Sequence, residues 1–111
     1  MTRVSPLAEF ELHVLLAVAR LGQDAYGARV RREIEDVAGR RVSIGAVYAT
    51  LGRLEDRELV AHRMSDPVPV RGGRSRKVYD LTPAGRTALE RATAMIVRMM
   101  DGLALGGGAE S

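Results

Sequence analysis

The sequence predicts a mainly α-helical chain with one small β-hairpin, and three observations carry that expectation. Apolar residues recur at steps of three and four over four separate stretches, the pattern of helices buried on one side. Between residues 59 and 81 the period falls to two, which fits a pair of short strands. Proline, glycine and capping residues stand where the periodic stretches begin and end, as at Pro6, Gly22, Gly39 and Pro83.

The first helix is expected from Leu7 to Leu21. Leu7, Phe10, Val14, Val18 and Leu21 hold helical spacing, while Leu12, Leu15 and Leu16 widen the apolar surface beyond one stripe. A helix apolar on more than one side needs a second cover, and in a small domain another subunit can supply it. Gly22 ends this helix and Asp24 is the expected N-cap of the next, which runs from Ala25 to Ala38 with Tyr26, Val30, Ile34 and Val37 inward. Gly39 suits the C-terminal stop.

Ser43 then caps a third helix, 43–57, which is the most informative part of the chain. Ile44, Val47, Leu51 and Leu54 form its apolar stripe, and Gly45, Ala46, Ala49, Thr50 and Arg53 are expected opposite. A solvated face usually carries Lys and Glu. A face of Gly, Ala and Thr lets the helix body approach another surface closely, as in the DNA major groove or against a second helix.

The strands are expected at Leu59–Met64 and Arg76–Leu81. The connection 65–75 holds Pro67, Pro69, Gly72, Gly73, Arg71 and Arg74, a long basic hairpin tip. Thr82-Pro83 pairs an N-cap with proline at the first helical position. From there Leu89, Ala92, Ile96, Met99 and Leu103 repeat by threes and fours, a coiled-coil-like seam on a helix of roughly 30 Å. So long a helix outruns its own small domain. A partner protomer is the expected cover, a fold-back onto its own core the alternative.

Composition narrows the function. The 111 residues are 46% hydrophobic and 28% charged, enough for one ordinary core. No apolar run approaches the ~18–20 residues of a membrane span. Glu9 and Glu11 interrupt the stretch an export signal would need. With no cysteine, disulfides and thiolate metal sites are excluded and a cytoplasmic setting is expected. Net charge is only +3, but the charges are unevenly placed. Arg71, Arg74, Arg76 and Lys77 fall together without an acid, and Arg40 and Arg41 precede the third helix. Such asymmetry makes a local footprint for a polyanion.

Three helices, a hairpin with a basic tip and a terminal helix make the winged helix-turn-helix order. The expected organisation is a DNA-binding domain over 1–82, a dimerisation helix over 83–104 and a flexible tail over 105–111. The segments Ala25-Tyr-Gly-Ala-Arg-Val30, Val42-Ser-Ile-Gly-Ala-Val-Tyr48, Leu51-Gly-Arg-Leu-Glu55, Leu59-Val60 and Tyr79-Asp-Leu-Thr-Pro-Ala-Gly85 resemble the PadR-like transcriptional regulators. The likeness runs from about Leu12 to Leu89, most of the chain, and the single terminal helix matches the short branch of that family. The resemblance implies a homodimeric, usually repressing, cytoplasmic protein that pairs through its first and last helices and binds pseudo-palindromic operators. Some relatives respond to phenolic acids or flat drugs, in certain members held between tryptophans; this chain has no Trp and one Phe, so it lacks the residues for that mode.

Roles follow for named residues. The expected DNA-binding set is Arg40, Arg41, Ser43, Gly45, Ala46, Tyr48, Ala49, Thr50, Arg53, Arg71, Arg74, Arg76 and Lys77. Ser43 is a helix cap that can also meet a phosphate. Ala46, Ala49 and Thr50 are candidates for base-edge contact, with methyl groups available to thymine, and Arg53 is expected to reach guanine or phosphate, a solvated surface arginine being the alternative. Tyr48 can bury its ring and offer its hydroxyl to a phosphate, ring packing alone being the alternative. The wing arginines enter a narrow minor groove or follow the phosphates. With neither Asn nor Gln on the third helix, base readout leans on shape. The expected dimer surface is Leu12, Leu16, Leu89, Ala92, Ile96, Met99 and Leu103, and any effector pocket lies among the same residues. No enzyme, cofactor or metal is expected: His13 and His62 stand apart, without ligand spacing. A protein-interaction module using the same wing and last helix is the competing reading.

Overall fold

The computed structural model describes residues 7–66 and 75–104. Among these, four helices and a two-stranded antiparallel sheet follow the predicted order: α1 Glu9–Leu21, α2 Gly27–Ala38, α3 Ile44–Asp56, β1 Val60–Met64, β2 Lys77–Leu81 and α4 Pro83–Met100, with a 3-10 turn at Gly22–Asp24.

α1 is the central element. Its start is fixed by Glu11, whose carboxylate accepts the Ala8 N–H at 2.9 Å. Val14, Leu15, Ala17 and Val18 are buried along it and meet Val30 and Ile34 of α2, Val47, Leu51 and Leu54 of α3, and Leu89 of α4 in one core. Glu11 is itself buried and also takes a 3.1 Å bond from the Arg57 guanidinium at the end of α3. A carboxylate removed from water needs such partners. The pair locks the start of α1 to the last turn of α3.

Several expectations at the joints are corrected. Asp24 does not cap α2; it lies in the 3-10 turn, and extended Tyr26 precedes the helix. Ala25 and Tyr26 instead join the sheet: the Tyr79 N–H donates to the Ala25 carbonyl at 2.8 Å, and Tyr26 bridges Val78. Val37, expected inward, is 57% exposed because α2 has passed the edge of the core by its last turn. α4 stops at Met100, so Leu103 lies beyond the helix, after extended Asp101.

The hairpin pairs Val60 with Leu81, His62 with Tyr79 and Met64 with Lys77. In β1 only Val60 is buried, whereas β2 buries Val78 and Tyr79 against the body. Their base is held by α4. Thr82 caps that helix by accepting the Gly85 N–H at 2.9 Å, and its hydroxyl donates to the Glu58 carbonyl at 2.7 Å. Gly85 has no room for a side chain, because a Cβ there would lie 1.9 Å from the Leu59 carbonyl oxygen.

Two outcomes are expected. Gly85→Ala must move backbone against backbone and should lower stability by about 3 kcal/mol or more, read by thermal or urea melting. Burial raises the Tyr79 phenol above its ordinary value of 10.0, with the Glu55 carboxylate and then Tyr48 adding to the shift. Because the folded value is the higher one, this stability is fully present below the unfolded value and is lost as pH climbs through the folded value. Melting curves taken from pH 9 to 11.5 should therefore show Tyr79→Phe losing stability less steeply than the unaltered chain.

Candidate nucleic-acid interface

α3 buries Val47, Thr50, Leu51 and Leu54 and leaves Ser43, Ile44, Gly45, Ala46, Tyr48, Ala49 and Arg53 exposed. The inward stripe is thus turned relative to the expected one. Ile44 is 40% exposed, and Thr50 is 1% exposed with its hydroxyl accepting from the Arg53 guanidinium at 2.9 Å. Thr50 is corrected accordingly: it is a core residue that tethers Arg53, and it cannot touch a base edge. At ~100° per residue, positions 47, 50, 51 and 54 share one arc, and 45, 49 and 52 lie opposite. Gly52 therefore belongs to the bare face and was missed, although its spacing of seven from Gly45 and three from Ala49 signals it. A Cβ at Gly52 would meet nothing within 4 Å, and one at Gly45 only the Ser43 hydroxyl at 4.0 Å.

Ser43 caps the helix as expected, its hydroxyl accepting the Ala46 N–H at 3.0 Å. Arg40 departs from the predicted basic set. Its guanidinium turns to α1, 3.3 Å from Glu9, 3.4 Å from His13 Nδ1 and 4.9 Å from the centre of the Phe10 ring. Neutralised there, it braces α1 rather than facing the α3 surface. Arg41 stays exposed.

Tyr48 is 48% exposed, and its ring lies across Gly27 at the start of α2. Beside it Arg76 of the hairpin stacks over the Tyr26 ring at 4.4 Å. Together with Lys77, Met64 and Ala28 these residues line a recess of about 380 Å³ between α2, α3 and the hairpin. Among the described residues its lining contains two cations and no carboxylate, the electrostatics of an anion site. Arg71 and Arg74, predicted for the wing tip, lie outside the described residues. The hairpin is joined to α3 by His62, whose Nδ1 is 2.6 Å from the Glu55 carboxylate and whose ring tilts against Tyr79 at 5.8 Å. That contact, too, had no sequence signal beyond the two residue types.

The expected dimer residues separate into two groups. Leu89 is 9% exposed within the chain's own core and is corrected on that ground; Leu12 and Leu16 are half-buried against the same core. Ile96, Met99 and Leu103 are open, at 40%, 71% and 58%, and so are Met95, Val97 and Met100. Ala92 is half-buried beside a mainly apolar cavity of about 800 Å³, lined also by Leu7, Leu59, Ala88, Met95, Arg57 and Arg91. No helix among the described residues is long and apolar enough to cross a membrane.

This geometry can be set beside known proteins. The profile of the transcriptional regulator PadR-like family matches residues 15–91. Transcriptional regulator Rv3488 of Mycobacterium tuberculosis is 40% identical over 82 residues, covering 74% of this chain and 70% of that protein. An uncharacterized 37.1 kDa protein in transposon TN4556 of Streptomyces fradiae is 32% identical over 89 residues, 80% of this chain. The chain spans about a quarter of that longer relative, 24%. Among solved structures, a PadR family transcriptional regulator from Eggerthella lenta superposes with a TM-score of 0.64 at 26% identity, covering 84% of this chain and 82% of that one. A family profile over most of the length and a regulator of 40% identity lead to one conclusion: the chain belongs to the PadR-like family of transcriptional regulators.

Proposed function

We propose that the protein is a cytoplasmic homodimeric repressor that binds a pseudo-palindromic operator, with α3 in the major groove and the hairpin as a wing on the backbone or minor groove. The bare outer face of α3 carries this reading. Gly45, Ala46, Ala49 and Gly52 present almost no side chain, so the helix can lie close to base edges. Ala methyl groups suit thymine, Arg53 is the cation beside that face, and exposed Asp56 closes its far end. With Thr50 buried, Arg53 is the cation on α3 left to bond a guanine edge, and groove shape carries the rest of the discrimination. Tyr48, Arg76, Lys77 and Arg41 supply backbone contacts, joined by Arg71 and Arg74 from the sequence between the two strands; Ser43 and its neighbouring amides add a further one.

The dimer rests on α4. Its last turns expose Met95, Ile96, Val97, Met99 and Met100, so nearly the whole circumference is apolar there. Such a helix needs cover on more than one side. A second copy supplies it by packing α4, Ala92 included, with Leu12 and Leu16 of α1. That arrangement would hold two α3 helices about 34–36 Å apart, one turn of DNA.

Selection of bound duplexes from a random pool tests this reading directly and should return two half-sites related by a dyad. On the selected duplex, affinity should fall ~10³–10⁵-fold between 50 and 200 mM salt if six to ten phosphates are neutralised. Arg53→Ala should narrow the gap between selected and random duplexes, worth about 1–3 kcal/mol of discrimination. Combined neutralisation of Arg71, Arg74 and Arg76 should weaken all duplexes alike and flatten the salt slope. In sedimentation, Met99→Glu should yield monomers whose affinity for the full site drops. A chain that binds no duplex even at low salt would instead favour a protein partner for the wing and α4.

A further inference from the structure

The dipeptide Tyr26-Gly27 touches every element assigned to DNA above. Its backbone belongs to the wing, through the Tyr26–Val78 bridge and the 2.8 Å bond from Tyr79 to the adjoining Ala25 carbonyl. The Tyr26 ring carries the Arg76 guanidinium at 4.4 Å. Gly27 is buried beneath Tyr48: a Cβ at position 27 would stand 2.4 Å from Tyr48 Cζ and 2.5 Å from its hydroxyl oxygen. Those distances lie well inside van der Waals contact. The phenol occupies the volume that any other residue at position 27 would fill.

We infer that Tyr26 and Gly27 are positioning residues for DNA binding. Gly27 holds the Tyr48 phenol, and Tyr26 holds the Arg76 guanidinium, so that both polar groups address one backbone phosphate in the recess between α2, α3 and the wing. Arg76 comes from the hairpin and Tyr48 from α3, two elements with separate routes to the duplex. A shared anion fits the recess because Arg76 and Lys77 bring positive charge, Tyr48 brings an O–H donor, and no acid lines it among the described residues. The ring of Tyr26 costs Arg76 none of its donors, since a guanidinium stacks through its face and hydrogen-bonds through its edge. Neither Tyr26 nor Gly27 needs to touch the nucleic acid. This role rests on the operator-binding reading.

Fluorescence anisotropy on the selected duplex, with the full chain at fixed salt, tests it through two mutant cycles. Gly27→Ala pushes the far end of a half-exposed tyrosine rather than backbone, so the melting temperature should stay near that of the unaltered chain. Its affinity should fall about tenfold, as expected for losing a hydrogen bond to a charged group. Tyr48→Ala should weaken binding comparably, and the double variant should bind no worse than Tyr48→Ala alone. In the second cycle Tyr26→Leu should weaken binding severalfold, Tyr26→Phe should restore it by restoring the ring, and Tyr26→Leu should have no effect in an Arg76→Ala background.

Additive losses in both cycles, or full affinity in Gly27→Ala and Tyr26→Leu, would overturn the positioning role while leaving operator binding intact. An unaltered chain that binds no duplex would overturn operator binding itself. Should Gly27→Ala fail to fold, the Tyr26 cycle decides the question alone.

Discussion

The molecule depends on a division of labour within α3. Val47, Leu51 and Leu54 are fully buried, and Thr50 nearly so, against α1 and the base of the sheet. The three aliphatic side chains each contribute about 1.5–3 kcal/mol by leaving water. With all anchoring on one arc, the opposite arc is free of any packing duty and can remain glycine and alanine. That freedom has a cost, since glycine in a helix interior is about 0.8–1.0 kcal/mol worse than alanine, and Gly52 stands there. An ordinary surface helix would fill such positions with lysine or glutamate. Retaining bare backbone there makes physical sense where another body must come close.

The rest of the fold aims that surface. Glu11 and Arg57 tie the end of α3 to the start of α1, and Glu55 and His62 tie the same turn to the wing. Thr82 and Gly85 seat the base of the hairpin on α4 so closely that no Cβ fits between them. α3 and the hairpin are therefore fixed to one another by short polar contacts and one tight backbone approach. α4 continues outward from the same junction with its apolar side chains exposed, so a partner bound there would inherit the orientation of α3.

Much of this was legible in the residue pattern. The order of elements, the Ser43 and Thr82 caps and the exposure of Ile96 and Met99 follow from local chemistry: period, cap type and an apolar helix with too little to pack on. What escaped was set by tertiary contact. Thr50 reads as a surface residue because it is polar, yet its methyl group fits the core and its hydroxyl is satisfied by Arg53. Choosing Ile44 as part of the buried stripe turned the expected arc and hid Gly52. Arg40 looked like part of a basic run because its partners Glu9, Phe10 and His13 are about 30 residues away in sequence. Leu89 fits the α4 seam by spacing, but the first turns of α4 still lie on the core. Glu58 takes a left-handed backbone, φ 62°, at the turn from α3 into β1, which no residue preference announces for glutamate.

The central claim is that the outer face of α3 is bare because a duplex lies against it. Ala49→Leu tests this most directly, since Ala49 is exposed and both residues favour helix, so melting should be unchanged. The claim predicts that added bulk alone lowers affinity for the selected duplex by at least about tenfold, worth about 1.4 kcal/mol. Unchanged affinity in a variant that melts like the original would contradict it.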